Sequence, residues 1–172
     1  MNAEYQQALK DCRRAMMNML ARREHSAYEL KQKAKDKLKQ QSQKNPFSEP
    51  LDYHLIDDVC DDSLLQLQQD GLQSDERFTE TYIRARSELL YGPQRIKAEL
   101  LHKGIEHAVI ELQMKESAVD WDWSLQLALD KKCAKNPAAL SIEEQRKLMA
   151  YLSRRGFDEN DVRRVCKQDY FD

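Results

Sequence analysis

The chain has 172 residues, 34% of them charged and 41% apolar, with only four glycines, four prolines and a formal net charge of −2. No apolar run nears the ~18 residues a membrane-spanning helix needs, and the balance of charge argues against a globally basic nucleic-acid binder. The profile fits a mostly helical protein with thin cores and wide solvated faces. The start, MNAEYQQALKDCRR, has no apolar segment of the kind a secretory signal carries, so the expected location is the cytoplasm.

Leu9, Cys12, Met16, Met19 and Leu20 recur at helical spacing, which predicts a first helix from about Asn2 to Arg23. Ser26-Ala-Tyr-Glu29 reads as a capping box that opens a second helix through Leu30, Ala34 and Leu38. The polar stretch 39–52, with two prolines, reads as an exposed loop. Asp52 is placed to cap a third helix with Leu55, Ile56, Val59, Cys60 and Leu67 inward, ended by Gly71. The fourth helix starts at Ser74 or Asp75 and carries Phe78, Tyr82, Ala85 and Leu89 as its apolar stripe. Tyr91-Gly92-Pro93 is a break, since proline sits well at the first position of a new helix. The fifth helix then buries Ile96 and Leu100 and closes at Lys103-Gly104, a base followed by the residue that most easily turns left-handed.

A sixth helix from about Glu106 is expected to bury Val109 and Leu112. The seventh holds Trp121, Leu125, Ala128 and Leu129 and frays towards Asn136-Pro137. Ser141-Ile-Glu-Glu144 is a second capping box, opening an eighth helix with Leu148 and Leu152 inward. Arg154-Arg155-Gly156-Phe157 ends it. Asp158 or Asn160 opens the ninth, with Val162, Val165 and Cys166 inward.

The last six helices repeat a pattern: long helix, turn, helix, basic-Gly-apolar, short helix. Ile96, Leu100, Gly104 and Ile105 superpose on Leu148, Leu152, Gly156 and Phe157 at identical spacing. The first three helices keep the apolar rhythm without the closing glycine. Three helices of this size bury a small core, so stacking units adds the missing buried surface. The expected fold is all-α: three tandem three-helix repeats, 1–69 (with the 39–52 loop), 70–116 and 117–172, forming an elongated, curved array.

Charge is segregated along the chain. Residues 1–44 carry 11 basic and 5 acidic groups, residues 45–80 carry 1 and 10, and residues 131–172 carry 10 and 7. The acidic stretch could face a basic partner or pair internally with the basic first helix. The four cysteines, Cys12, Cys60, Cys133 and Cys166, form no CxxC pair and read as small buried residues. His102 and His107 are five apart across Gly104, a poor spacing for a metal pair, and Asp57-Asp58 with Asp61-Asp62 lack the glycine and spacing of a calcium loop. No phosphate-cradling glycine loop and no catalytic constellation stands out, so an enzyme is not expected.

LARREHSAYELKQK (Leu20–Lys33), DGLQSDERFTETYIRARSELLYGPQRIKAELLHKGI (Asp70–Ile105) and KLMAYLSRRGFDENDV (Lys147–Val162) together resemble the RecX family, bacterial regulators of the RecA recombinase. The departures lie in the first repeat, where the loop is longer and the closing glycine absent. The resemblance implies a monomer without cofactor that binds RecA filaments along the helical groove and restrains strand exchange, ATP hydrolysis and co-protease function. Single-stranded DNA inside the filament is a second contact it allows.

The candidate partner-binding residues are cations at recurring helix ends: Arg22, Arg23, Arg84, Arg86, Arg95, Lys97, Lys103, Arg154 and Arg155. Each also has a plain reading as dipole complementation. Together they suit an acidic groove, because the planar guanidinium grips carboxylates and phosphates in two places. Tyr82 and Tyr91 read as core or turn packing rather than as stacking platforms for bases. Two other functions compete: a helical nucleic-acid-binding module acting without RecA, and a helical scaffold for another partner.

Overall fold

The computed structural model describes residues 3–44, 53–133 and 136–167. Among them are nine α-helices, one 3-10 turn at Pro137–Ala139 and no strand. The helices are α1 (Ala3–Leu20), α2 (Ala27–Lys44), α3 (Tyr53–Gln69), α4 (Asp75–Glu88), α5 (Pro93–His102), α6 (His107–Glu116), α7 (Trp121–Lys132), α8 (Ile142–Arg155) and α9 (Glu159–Lys167). The all-α expectation holds. No helix among the described residues is long and apolar enough to cross a membrane.

The chain packs into two compact units, Met1–Thr79 with Lys103–Val109, and Glu80–His102 with Ile110–Asp172. The division runs through α4 and α6. In the first unit α1, α2 and α3 pack around Cys12, Met16, Leu30, Ala34, Ile56, Val59 and Leu67. The Cys12 and Cys60 sulfurs lie 3.7 Å apart in this core as free thiols. Three carboxylates of the acidic stretch pair within the first unit: Lys31 with Asp61, Lys35 with Asp57 at 2.7 Å and Arg13 with Asp70 at 2.6 Å. The Tyr5 hydroxyl donates to Asp62, a bond that, first among its causes, pushes its pKa up to about 12.

The second unit gathers Leu90, Leu125, Leu129, Leu152, Phe157 and Val162. The Ser141 box is complete: the Glu144 N–H donates to Ser141 Oγ, and the Glu144 carboxylate accepts from the Ser141 N–H at 2.9 Å. Asp120 caps α7 by accepting from the Trp123 N–H at 2.9 Å.

Several expectations are corrected. Residues 39–44 are helical, the last turn and more of α2, because nothing before Asn45-Pro46 breaks the pattern. The rest of the expected loop, and the Asp52 cap, lie outside the described residues. On α4 the buried face is Phe78, Thr79, Ile83 and Ser87, whereas Ala85 and Leu89 are exposed. Thr79 and Ser87 are buried because their hydroxyls donate to the carbonyls of Asp75 and Arg84, a burial that apolar periodicity does not register. On α6 Ile110 and Met114 face inward and Leu112 is 51% exposed. Both sets fit a helical period, and the packing selects the other one.

Candidate functional site

The turn after α4 positions the site. The Tyr91 N–H bonds the Arg86 carbonyl at 3.1 Å, and Leu90 takes the left-handed conformation (φ 59°) where a glycine would be usual. Leu90 accepts that strain because its side chain is buried in the core of the second unit. Tyr91 then projects at the start of α5, beside the end of α8. The Gly92 N–H donates to the Arg155 carbonyl at 2.8 Å, and the Gln94 N–H to the Gly156 carbonyl at 3.0 Å. A Cβ at position 92 would sit 2.4 Å from the Gly156 carbonyl, so only glycine allows this approach.

Docking these two turns brings three arginines to one ring. The guanidinium carbons of Arg86, Arg95 and Arg155 lie 4.1, 4.4 and 4.7 Å from the centroid of Tyr91. Each such contact stabilises by roughly 0.5–2 kcal/mol, according to its desolvation. Glu99 is the counter-ion. Arg86 grips both of its oxygens, Arg95 donates to it at 2.9 Å from one turn earlier on α5, and the Tyr82 hydroxyl donates at 2.8 Å. Burial alone would push the Glu99 carboxyl up, but these hydrogen bonds outweigh it and hold the pKa at about 2. Arg155 also donates to the Leu89 carbonyl and the Tyr151 hydroxyl, and Arg95 to the Arg154 carbonyl. Three guanidiniums against one carboxylate leave a fixed net positive charge, ordered by a ring and by backbone carbonyls. Such a surface offers donors to carboxylates and phosphates with little side-chain entropy left to lose.

The first unit contains a counterpart of this docking. Ser26 Oγ donates to the Lys103 carbonyl at 2.7 Å while accepting from the Glu29 N–H. The Glu29 carboxylate does not close a capping box as Glu144 does. It holds Lys103 at 3.0 Å and Arg23 at 3.5 Å. Its pKa is lowered: burial raises it, and Lys103 and then Arg23 more than reverse that. The basic-Gly-apolar turns at 103–105 and 155–157 therefore do the same thing twice. Each sets the carbonyl before its glycine against the residue just before another helix, Ser26 before α2 and Gly92 before α5.

The nine expected cations fall into distinct settings. Arg86, Arg95 and Arg155 meet around Tyr91. Lys97 does not join them and pairs with Glu111 at 2.7 Å. Arg23 and Lys103 share Glu29. Arg22, Arg84 and Arg154 are exposed, their guanidiniums unpaired among the described residues. Arg22 and Arg23 also border a pocket of about 480 Å³ with His25 and Lys33. His25 is buried there, its Nδ1 to the Arg23 carbonyl at 3.0 Å and its Nε2 to the Lys33 ammonium at 3.2 Å. Those partners fix a neutral ring with the proton on Nδ1, and burial first of all lowers its pKa. Among the described residues no group of three His, Cys, Asp or Glu side chains could hold a metal.

Sequence reasoning missed Tyr91 as the hub and Glu99 as the counter-ion. The only signal was Arg86, Tyr91, Arg95 and Glu99 flanking one turn; Arg155, from far along the chain, completes the arrangement.

Comparison with known proteins gives the chain its relatives. Residues 74–112 match the second three-helix domain of RecX, and residues 124–166 match the third. The "Regulatory protein RecX" of Mannheimia succiniciproducens is 35% identical over 84% of this chain and 85% of its own length. That of Pseudomonas entomophila is 33% identical over 93% of both. A solved structure, "Crystal structure of regulatory protein RecX", shares the fold with a TM-score of 0.72 at 15% identity, covering 96% of this chain and 74% of that one. With relatives of this identity matched over most of their length, and two of its domains in the matching order, the chain belongs to the RecX family of regulatory proteins.

Proposed function

We propose that this chain docks in the helical groove of RecA filaments on DNA and restrains strand exchange, ATP hydrolysis and co-protease function, acting as a monomer in the cytoplasm without catalysis of its own. The reading rests on family membership. The observation that carries it to particular residues is the ordered arginine cluster at Tyr91 with the unpaired Arg154 beside it in sequence. We read 1–69, 70–116 and 117–172 as three successive repeats, each offering cations to the same polymer. Within the proposed set Arg22, Arg84 and Arg154 make contact through free guanidiniums. Arg23, Arg86, Arg95, Lys97, Lys103 and Arg155 supply the field behind them and hold the turns in place.

The test is RecA-driven ATP hydrolysis on single-stranded DNA. Sub-stoichiometric protein is expected to slow it, and no effect at equimolar protein would sink the reading. Reversing Arg22, Arg84 and Arg154 to Glu should raise the amount needed by about tenfold or more, each 1.4 kcal/mol of lost contact being tenfold in affinity. Undiminished inhibition would show that the cations are not the contact. Tight DNA binding without RecA, falling steeply with salt, would instead favour the independent nucleic-acid module.

A further inference from the structure

The second unit holds a second surface of opposite character. A groove of about 900 Å³ runs between α4, the end of α6 and the start of α7. Ile83, Val119 and Trp123 give it an apolar lining, and Trp123 is 62% exposed. Among the described residues its rim carries Glu80, Glu88, Glu116 and Asp120 against one cation, Arg84. Glu80, Arg84 and Glu88 are spaced four apart on one helix, the spacing that closes ion pairs. Elsewhere this chain closes such pairs, Glu143 with Lys147 at 2.6 Å and Glu159 with Arg163. Here Glu80, Arg84 and Glu88 have no partner among the described residues.

An exposed tryptophan beside an apolar floor is the composition of an interface centre, and open carboxylates around it select the sign of what can enter. A nucleic-acid backbone is repelled by that rim. We infer that this groove receives a protein segment bearing lysines or arginines on either side of one bulky apolar residue. The apolar residue sits against Ile83 and Val119, the cations meet Glu80 and Glu88, and one of them lies over the Trp123 ring. The groove shares Arg84 with the cations proposed for RecA but its occupant is chosen by the carboxylates and the tryptophan, and no RecA enters its test.

The probe is a short amphipathic peptide of lysine and leucine, titrated into the full chain and followed by tryptophan emission. A second peptide with glutamate in place of lysine is the control. The expected result is a saturable change with the basic peptide, none with the acidic one, and about tenfold weaker binding for Glu80→Gln/Glu88→Gln. Arg84→Glu should tighten binding, a gain that a damaged fold cannot produce. The response should vanish in Trp123→Phe. The inference is overturned if the glutamine variant binds as tightly as the parent, if both peptides bind alike, if Arg84→Glu weakens the basic peptide, or if the emission change survives in Trp123→Phe and so belongs to Trp121.

Discussion

The two turn dockings share a layout and differ in what fills the contact. In the first unit the glycine at 104 faces a side chain: a Cβ there would meet Tyr28 Cβ at 2.6 Å. In the second, glycine meets backbone, since a Cβ on Gly92 would strike Gly156 at 2.4 Å, and one on Gly156 would strike the Arg95 Cβ at 2.3 Å and its backbone N at 2.5 Å. Tyr28 Cβ is carried by the α2 backbone, so one helix must shift to make room there, whereas at 92 two interlocked main chains must part. The difference shows how one repeated sequence signal can build one contact against the root of a side chain and one between two main chains, and the second carries the arginine cluster.

Glycine substitution should break this comparison with the largest effect. Gly92→Ala is expected to lower stability by about 3 kcal/mol or more, because two hydrogen-bonded main chains must part. Gly104→Ala should lose about 2–3 kcal/mol, for its left-handed conformation and for the shift of α2 that the Tyr28 Cβ demands. Gly71, also left-handed but with nothing within 4 Å of a Cβ, is the control for conformation alone and should lose about 1 kcal/mol. Urea-unfolding midpoints at constant slope check the order; equal losses at 92 and 71 would mean that the close approach is unimportant.

The counter-ions come next. Glu99 takes three donors, and its side chain and that of Arg86 are 22% and 23% exposed. Glu99→Gln should lower stability by about 1–3 kcal/mol and Glu29→Gln by less, since charged hydrogen bonds to a half-buried group are worth that much. Loss of the Tyr91 contacts would also show as a changed near-ultraviolet tyrosine signal, larger for Glu99→Gln than for Glu29→Gln.

The smallest effect is in pH. The Glu99 pKa falls from an ordinary 4.5 to about 2 on folding. The unfolded chain therefore takes up that proton first. The stability Glu99 contributes is complete above about pH 4.5 and is lost as pH falls towards 2. His25, also lowered, adds a loss that begins higher, as pH drops below its ordinary 6.5. Glu99→Gln should flatten the stability profile in the lower window, whereas His25→Gln should flatten it only in the upper. A profile unchanged by either variant would remove these two groups from the account.

What the sequence made legible was local. The Ser141 box, the inward Ile96, Leu100, Leu148 and Leu152, and the glycine stops at 104 and 156 each depend on a few neighbouring residues, and all were readable. The buried face of α4 was not, because Thr79 and Ser87 hide their polarity in bonds to their own helix. Nor was the turn at Leu90, where core packing overrides the preference for glycine. All three arginines of the Tyr91 cluster were picked out for their charge. That they meet at one ring, with Glu99 between two of them, depends on α8 returning to the start of α5, a contact some sixty residues apart in the chain. Glu29 shows the same limit in reverse: its capping-box spacing was plain, yet Lys103 and Arg23 draw its carboxylate away.

Gly92 and Gly156 occupy the room that each would deny the other. An exposed position such as Ile142 is open to drift one change at a time. The two glycines form a single unit of inheritance: a bulkier residue at either demands that the opposite turn retreat, which would also scatter the arginines around Tyr91. Variation among descendants of this chain should therefore reach 92 and 156 jointly or not at all.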